Sequence, residues 1–286
     1  MSSPTAPGDA TRIVVQASVT ELLRDLIHER TGVYFEPDRF DMMLEKLEPR
    51  ASERRCQSYL DYYYILKYDE NADEEWRRVM DAFSVQETYF WREFDQIDAF
   101  VERIVPDWFK RSSLPLRIWS AACASGEEPY SIAMALCEAG WGNHPIEIFA
   151  SDASDAALAK ARMGIYRERS FRSLPASLRA KYFQAKGDVS ILDPGIRARV
   201  NFQWANLVNL SDFPPPGNVE VIFCRNVFIY FSPNSIKRVI GSFARRVPGG
   251  GHLFIGSSES LLKLTDDFEL QELGPAFVYA RESTKS

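Results

Sequence analysis

Residues 119–131 run Trp119-Ser120-Ala121-Ala122-Cys123-Ala124-Ser125-Gly126-Glu127-Glu128-Pro129-Tyr130-Ser131, and the turn at their centre decides the fold. Leu116 to Cys123 is a short β-like run that closes in small residues. Glu127 to Ala139 follows with helical character, and Gly140 marks its stop. A strand that passes through Ala124-Ser125-Gly126 straight into a helix is the opening unit of an open α/β sheet. Ligands of such sheets lie beyond the carboxyl ends of the strands.

Downstream the alternation continues. Ile146 to Ala150 reads as a second strand, closed by Ser151-Asp152, and Ala153 to Met163 as a second helix. Val219 to Cys224 is a strand ending at Arg225-Asn226, Ser235 to Arg246 a helix, and Gly251 to Gly256 another strand. Phe268 to Leu273 and Phe277 to Arg281 read as a last strand pair around Gly274-Pro275. Strands alternating with helices imply a parallel sheet covered on both faces. Residues 166–200 break the pattern with Pro175, Gly187, Pro194 and Gly195, and are predicted to form an inserted antiparallel subdomain.

Upstream, residues 18–80 read as helical. Ser18 and Glu21 have capping-box spacing. Val19, Leu22, Leu23, Leu26 and Ile27 repeat at helical intervals, and Gly32 follows as a stop. A second helix starts near Pro37 and carries Phe40, Met43, Leu44 and Leu47 on one face; Pro49 is predicted to end or kink it. Tyr59 to Tyr68 and Glu74 to Phe83 look like two more helices. An irregular stretch, Ser84 to Glu93, leads into a helix over Phe94 to Lys110. The predicted organisation is a disordered tail at 1–14, a helical domain at 15–83, a linker segment and helix at 84–115, and an α/β domain at 116–286 whose insertion covers about 166–200.

Composition narrows the classes. With 45% hydrophobic and 26% charged residues, the 286-residue chain has ample core for a globular protein. No apolar run approaches the roughly 20 residues that span a bilayer, and Met1 to Ala10 lacks the apolar region of a secretory signal. Cys56, Cys123, Cys137 and Cys224 show no CxxC pairing and read as reduced thiols of a cytoplasmic protein. His28, His144 and His252 stand apart, which disfavours a metal site. The net charge of −6 disfavours general nucleic-acid binding, so any anionic partner must meet a local basic patch. A monomer that does not insert into membrane is expected.

The strand ends then suggest a ligand. The first loop has one glycine, so it is not a GxGxxG dinucleotide fingerprint. Glu127 and Glu128 stand where a pyrophosphate would lie on the helix N-terminus, and like charge would oppose it. A cationic group would be welcomed, and S-adenosylmethionine carries an ammonium and a sulfonium but no phosphate. The bland alternative is that both glutamates only complement the helix dipole. Asp152, at the second strand end, has the position that accepts ribose hydroxyl hydrogen bonds, or that of a helix cap. Asn206 can read adenine edges, with Leu207 over the ring face, or can simply hold a turn. Asn226 follows the strand next to the first, where the reactive end of the ligand would sit. A dehydrogenase is disfavoured by the missing glycines.

Further motifs support a family resemblance. They are Gln86-Glu87-Thr88-Tyr89-Phe90-Trp91-Arg92-Glu93, the 119–131 stretch, Phe149-Ala150-Ser151-Asp152, Ala161-Arg162-Met163-Gly164-Ile165-Tyr166, Ile222-Phe223-Cys224-Arg225-Asn226-Val227-Phe228-Ile229-Tyr230-Phe231, and Gly256-Ser257-Ser258-Glu259. In this order they resemble the CheR-type chemotaxis receptor methyltransferases. The resemblance implies a Rossmann-like class I methyltransferase sheet, an N-terminal all-α domain and a small β-subdomain insertion. It also implies methyl transfer from S-adenosyl-L-methionine to glutamates on chemoreceptor cytoplasmic helices, with S-adenosyl-L-homocysteine as product. The cofactor contacts it implies are Gln86, Thr88, Arg92, Glu127, Asp152, Asn206, Leu207, Arg225 and Asn226. The family usually has Asn at the position of Gln86, and the extra methylene shifts where that amide reaches.

The chemistry suits such a chain. A glutamate acceptor, with an ordinary pKa of about 4.3, is already a nucleophile at neutral pH and needs no general base. Arg92 and Tyr230 are the catalytic candidates, for pairing a carboxylate and for orienting the acceptor oxygen; Tyr230 packed as a plain aromatic is the alternative. Arg39, Lys46 and Arg50 recur at helical spacing, and Arg54 and Arg55 extend them into a candidate docking face for the acidic receptor helix. Residues 36–61 carry no net positive charge, however, so an ordinary solvated face remains open. Methylation of a different protein or small acid, and a non-catalytic sensor of S-adenosylmethionine, are the competing functions.

Overall fold

A computed structural model describes Ile13, residues 16–209 and residues 217–282. The expected tail at 1–14 falls outside the described residues, except for Ile13, which is buried. The chain divides into two compact units: Met1–Glu29 with Tyr34–Phe83, and Arg30–Val33 with Ser84–Ser286.

The first unit is helical, with α1 (Ala17–Thr31), α2 (Phe40–Glu53), α3 (Tyr59–Tyr68) and α4 (Ala72–Phe83). Leu23, Ile27, Met43, Leu47, Tyr62, Leu66 and Val79 are fully buried, as their helical spacing requires. Two local expectations are corrected. Ser18 lies inside the first turn of α1, so the expected capping box there does not form. The true capping box opens α3, where Ser58 Oγ accepts from Asp61 N and Asp61 bonds back to the Ser58 N–H. Pro49 neither ends nor visibly divides α2, which runs on to Glu53. Its last turn is held by buried Ala51 and by Arg50, whose guanidinium makes two bonds to buried Glu75, at 3.0 and 2.9 Å.

The second unit opens with α5 (Phe94–Ala99), a π-helical stretch over Phe100–Ile104 and α6 (Val105–Arg111). Pro106 cannot donate to the preceding turn, and a wider turn just before it relieves the clash. Then come β1 (Leu116–Ala121), α7 (Glu127–Glu138), β2 (Ile146–Asp152), α8 (Asp155–Met163), β3 (Ile165–Tyr166), α9 (Ala176–Tyr182), β4 (Phe183–Lys186), β5 (Val189–Leu192), α10 (Pro194–Arg197), β6 (Val200–Trp204), β7 (Val221–Cys224), α11 (Pro233–Ala244), β8 (His252–Ile255), β9 (Glu269–Leu273) and β10 (Ala276–Ala280). The main sheet has the order β6-β2-β1-β7-β8-β10-β9. Its strands are parallel from β6 to β8, and β10 inserts antiparallel between β8 and β9. The insertion forms a three-stranded antiparallel sheet, β3-β5-β4.

Both faces of the sheet are covered. Ile118, Val221 and Phe223 point into one core with Phe100, Tyr130 and Ile132, while Trp119, Ile222 and Cys224 point into another with Val239, Ile240 and Phe243. This explains the continuous apolar run of β7, since a strand buried on both sides has no polar face to alternate with. Strand order reverses beside β1, between β2 and β7, so the carboxyl ends of these strands border a crevice.

Candidate functional site

The loop after β1 is strained. Ala122, Ala124 and Gly126 have φ of 57°, 47° and 92°, and left-handed backbone costs a non-glycine residue roughly 1–2 kcal/mol. Three bonds hold it: Cys123 N to Ser151 O and Ala124 N to Asp152 Oδ2, both 2.9 Å, and Tyr166 OH to Ser125 O, 2.8 Å. A Cβ on Gly126 would lie 2.9 Å from Ala161 Cβ, so the position needs glycine for space as well as for φ. Asp152 also accepts from Ser154 N at 2.8 Å. It thus ties two loops together.

Glu127 and Glu128, equivalent in sequence, diverge in the structure. Glu127 is buried at the start of α7 and accepts from Ser125 Oγ (2.8 Å) and Ser170 Oγ (3.0 Å). Burial raises its carboxyl above the ordinary value, against the opposing pull of those hydroxyls. Glu128 instead accepts from Ser120 Oγ at 2.7 Å and lies 3.5 Å from Arg225 Nη1. Its carboxyl is raised by burial despite that guanidinium. Glu127 is thus a desolvated acid at the helix N-terminus, and Glu128 is the one that meets Arg225.

The stretch before α5 is knitted into the same region. Phe90 is fully buried against Tyr166, Phe171 and Phe183, and its N–H donates to Ser170 O at 2.9 Å. Trp91 and Glu93 adopt left-handed φ of 66° and 47°. Gln86 Oε1 accepts from Lys160 Nζ at 2.6 Å. Thr88 is half-buried, and Arg92 donates to Glu87 O at 3.0 Å beside the Tyr89 ring.

At the end of β7, Arg225 is buried and donates to Arg92 O at 2.7 Å and Glu93 Oε2 at 3.3 Å. It therefore bridges Glu93 and Glu128 and fastens the segment at 92–93 to the sheet. Asn226, at φ 60°, donates from Nδ2 to Glu93 Oε1 at 3.1 Å. Burial would raise the Glu93 carboxyl, but Arg225 and the bonds from Asn226 and Ser257 together hold it below its ordinary value. Tyr230 closes the short helical turn Phe228–Tyr230 and is 39% exposed, open to an acceptor.

At the end of β6 the geometry gives Asn206 the turn role. Its Nδ2 donates to Arg30 O at 2.7 Å and its Oδ1 accepts from Val208 N at 3.2 Å, so both amide groups are engaged with backbone. Leu207 is buried in the core beside Ala205 and Phe228.

The expected docking face is also altered. Arg50 is bound to Glu75 and Glu53, Lys46 donates to Ala82 O at 3.1 Å over the Phe83 ring, and Arg54 pairs with Asp69 at 3.3 Å. Arg39 and Arg55 remain exposed. Periodicity put Arg50 on an outer face, but a buried carboxylate on α4 recruits it inward. Glu93, Ser125, Ser170 and Glu259 were not among the sequence-derived site residues. Glu93 and Glu259 end quoted motifs, which was the available signal; Ser170 has none, because the insertion brings it to the site.

Among the described residues, no group of three His, Cys, Asp or Glu could hold a metal, and no helix is long and apolar enough to cross a membrane. The strand order, the single-glycine loop and the buried acid at its helix define an S-adenosylmethionine-dependent methyltransferase of class I. The family model described as "CheR methyltransferase, SAM binding domain" matches residues 86–276, and "CheR methyltransferase, all-alpha domain" matches residues 20–84. The chain is 38% identical over 253 residues to Chemotaxis protein methyltransferase 2 of Vibrio cholerae serotype O1, covering 87% of each chain. It is 30% identical over 267 residues to Chemotaxis protein methyltransferase 1 of Pseudomonas aeruginosa, covering 91% of this chain and 96% of that one. It is 30% identical over 277 residues to the Chemotaxis protein methyltransferase of Salmonella typhimurium, covering 93% and 94%. The chain belongs to the CheR methyltransferase family.

Proposed function

We propose that this enzyme methylates glutamate side chains on the cytoplasmic helices of chemoreceptors, giving glutamyl methyl esters in chemotaxis adaptation. The observation that carries the reading is the division of labour at the crevice. One buried acid, Glu127, suits an ammonium, while Arg225, Glu93 and Asn226 form a preset polar wall. S-adenosylmethionine, when bound, supplies a methyl group on a sulfonium. The acceptor carboxylate is nucleophilic as it stands, so the protein's task is to desolvate and align it. Gln86, Thr88, Arg92, Glu127 and Asp152 hold the cofactor, and Asn206 holds the turn that carries Leu207 near its adenine end. Asn226 and Tyr230 border the acceptor. Arg39 and Arg55 supply cationic contacts to an acidic receptor helix.

The test uses methyl-labelled S-adenosylmethionine and chemoreceptor-containing membranes, followed by alkali. Labelled methanol released from receptor protein is the expected result. Receptor that stays unlabelled, or label that resists alkali, rejects the assignment.

A further inference from the structure

Glu259 ends the motif Gly256-Ser257-Ser258-Glu259, which none of the roles above absorbs. Its Oε2 accepts from the backbone N–H of Gly256 at 2.7 Å and of Asn226 at 2.9 Å. Its Oε1 accepts from Phe228 N at 2.7 Å and Ile229 N at 3.3 Å. One carboxylate thus gathers N–H groups from the ends of β7 and β8. Bonds of this charge-assisted kind are roughly twice as strong as neutral ones.

What they hold is a left-handed turn, which asparagine tolerates better than most residues. Asn226 has a left-handed φ of 60°. Packing around it is tight: a Cβ on Gly256 would meet Asn226 Nδ2 at 2.5 Å and Glu259 Oε2 at 2.9 Å. Glu93 completes the clamp, accepting from Asn226 Nδ2 at 3.1 Å and Ser257 N at 3.0 Å. The Asn226 side chain therefore has a fixed direction, and the chain leaves it toward Tyr230 along a fixed path.

We propose that Glu259 is a positioning residue for methyl transfer, presetting the turn that brings Asn226 and Tyr230 to the reacting centre. This rests on the reading above, that these two residues border the acceptor. Glu259 acts through the backbone it holds. A carboxylate is required, because both oxygens face N–H donors. A glutamine would turn its own NH2 toward one pair of them, and those two bonds would be lost. Misplacement of a reacting group by about 1 Å costs on the order of a hundredfold in rate.

The test compares full-length Glu259→Gln and Glu259→Asp with the parent in kcat for receptor methylation, Kd for S-adenosylhomocysteine and amide hydrogen exchange. The expected result is a kcat lowered roughly ten- to a hundredfold in Glu259→Gln, with a smaller loss in Glu259→Asp. S-adenosylhomocysteine affinity should weaken far less than kcat falls, and faster exchange should stay confined to residues 226–229 and 256. A parental kcat in Glu259→Gln despite faster exchange at those amides overturns the proposal. So does a parallel loss of kcat, affinity and protection across the whole domain, which would mark a residue of stability alone. Asn226→Ala and Tyr230→Phe test the underlying reading separately. If both keep parental kcat, that reading fails and takes the Glu259 role with it. If both lose kcat while Glu259→Gln does not, only the positioning role fails.

Discussion

At Glu127 a carboxylate is buried against two hydroxyls, and burial raises its pKa against their pull and that of Arg169. The sign of its pH dependence follows. An ammonium ligand selects the ionised form, so affinity for S-adenosylhomocysteine is full above the raised pKa and is lost as pH falls through it. That loss should begin at higher pH than for an ordinary glutamate. Folding runs the other way: a raised carboxyl favours the folded state where it is protonated and loses that stability as pH rises. Glu127→Gln should therefore weaken S-adenosylhomocysteine binding by about 2 kcal/mol, roughly thirtyfold, flatten its dependence on pH on the acid side, and leave Tm at neutral pH unchanged or raised. Calorimetric titration and thermal melts at several pH values check this. The acid and its helix position were readable from the sequence. Ser170 was not, because it lies 43 residues away and only the fold of the insertion brings it to 3.0 Å.

Elements show where local patterns were overruled. The spacing of Arg39, Lys46 and Arg50 along α2 is helical, and the helix exists. Its outward face does not hold all three. Glu75, buried on α4, takes Arg50 in a two-pronged pair, and Tyr62 OH donates to the same carboxylate at 2.8 Å. Arg50→Ala leaves that buried carboxylate with only the more distant Arg54 guanidinium, at 4.0 Å; breaking a buried pair typically costs about 3–5 kcal/mol. Because Arg50 keeps some exposure, the lower end applies. The expected result is a lower Tm for the transition of the helical unit, read by circular dichroism, with S-adenosylhomocysteine affinity retained. Charge reversal at Arg50 would thus report on stability before it reported on receptor docking. Arg39 and Arg55 are the cleaner probes of docking. Pro49 illustrates the same rule: it removes one donor, but contacts made by the following turn outweigh the loss.

On the scale of the whole molecule, the sequence-derived cofactor residues from Gln86 to Asn226 fall in the unit containing Ser84–Ser286. A fragment of residues 84–286 is expected to keep S-adenosylhomocysteine binding, weakened because it loses Arg30–Val33 of the same unit, with the Asn206 hydrogen bond to Arg30 and the Val33–Phe231 bridge. The same fragment should methylate receptor poorly if the helical unit supplies docking. Failure to bind the product would show that residues before 84 are needed to form the site. The amino-acid sequence by itself determined the alternation of strands and helices, the single-glycine loop, the acids at the ends of β1 and β2, and the motifs that mark the family. These are short-range features, set by side-chain period, by φ at a turn and by the charge next to a helix end. Only the tertiary structure decided which polar groups meet across long separations. It assigned Glu128 and Glu93 to Arg225, Asn206 to a backbone turn, Arg50 to the interior, and Glu259 to the left-handed turn at Asn226. Those assignments depend on burial, where an unpaired charge or N–H is expensive and a partner must come from wherever the fold delivers one.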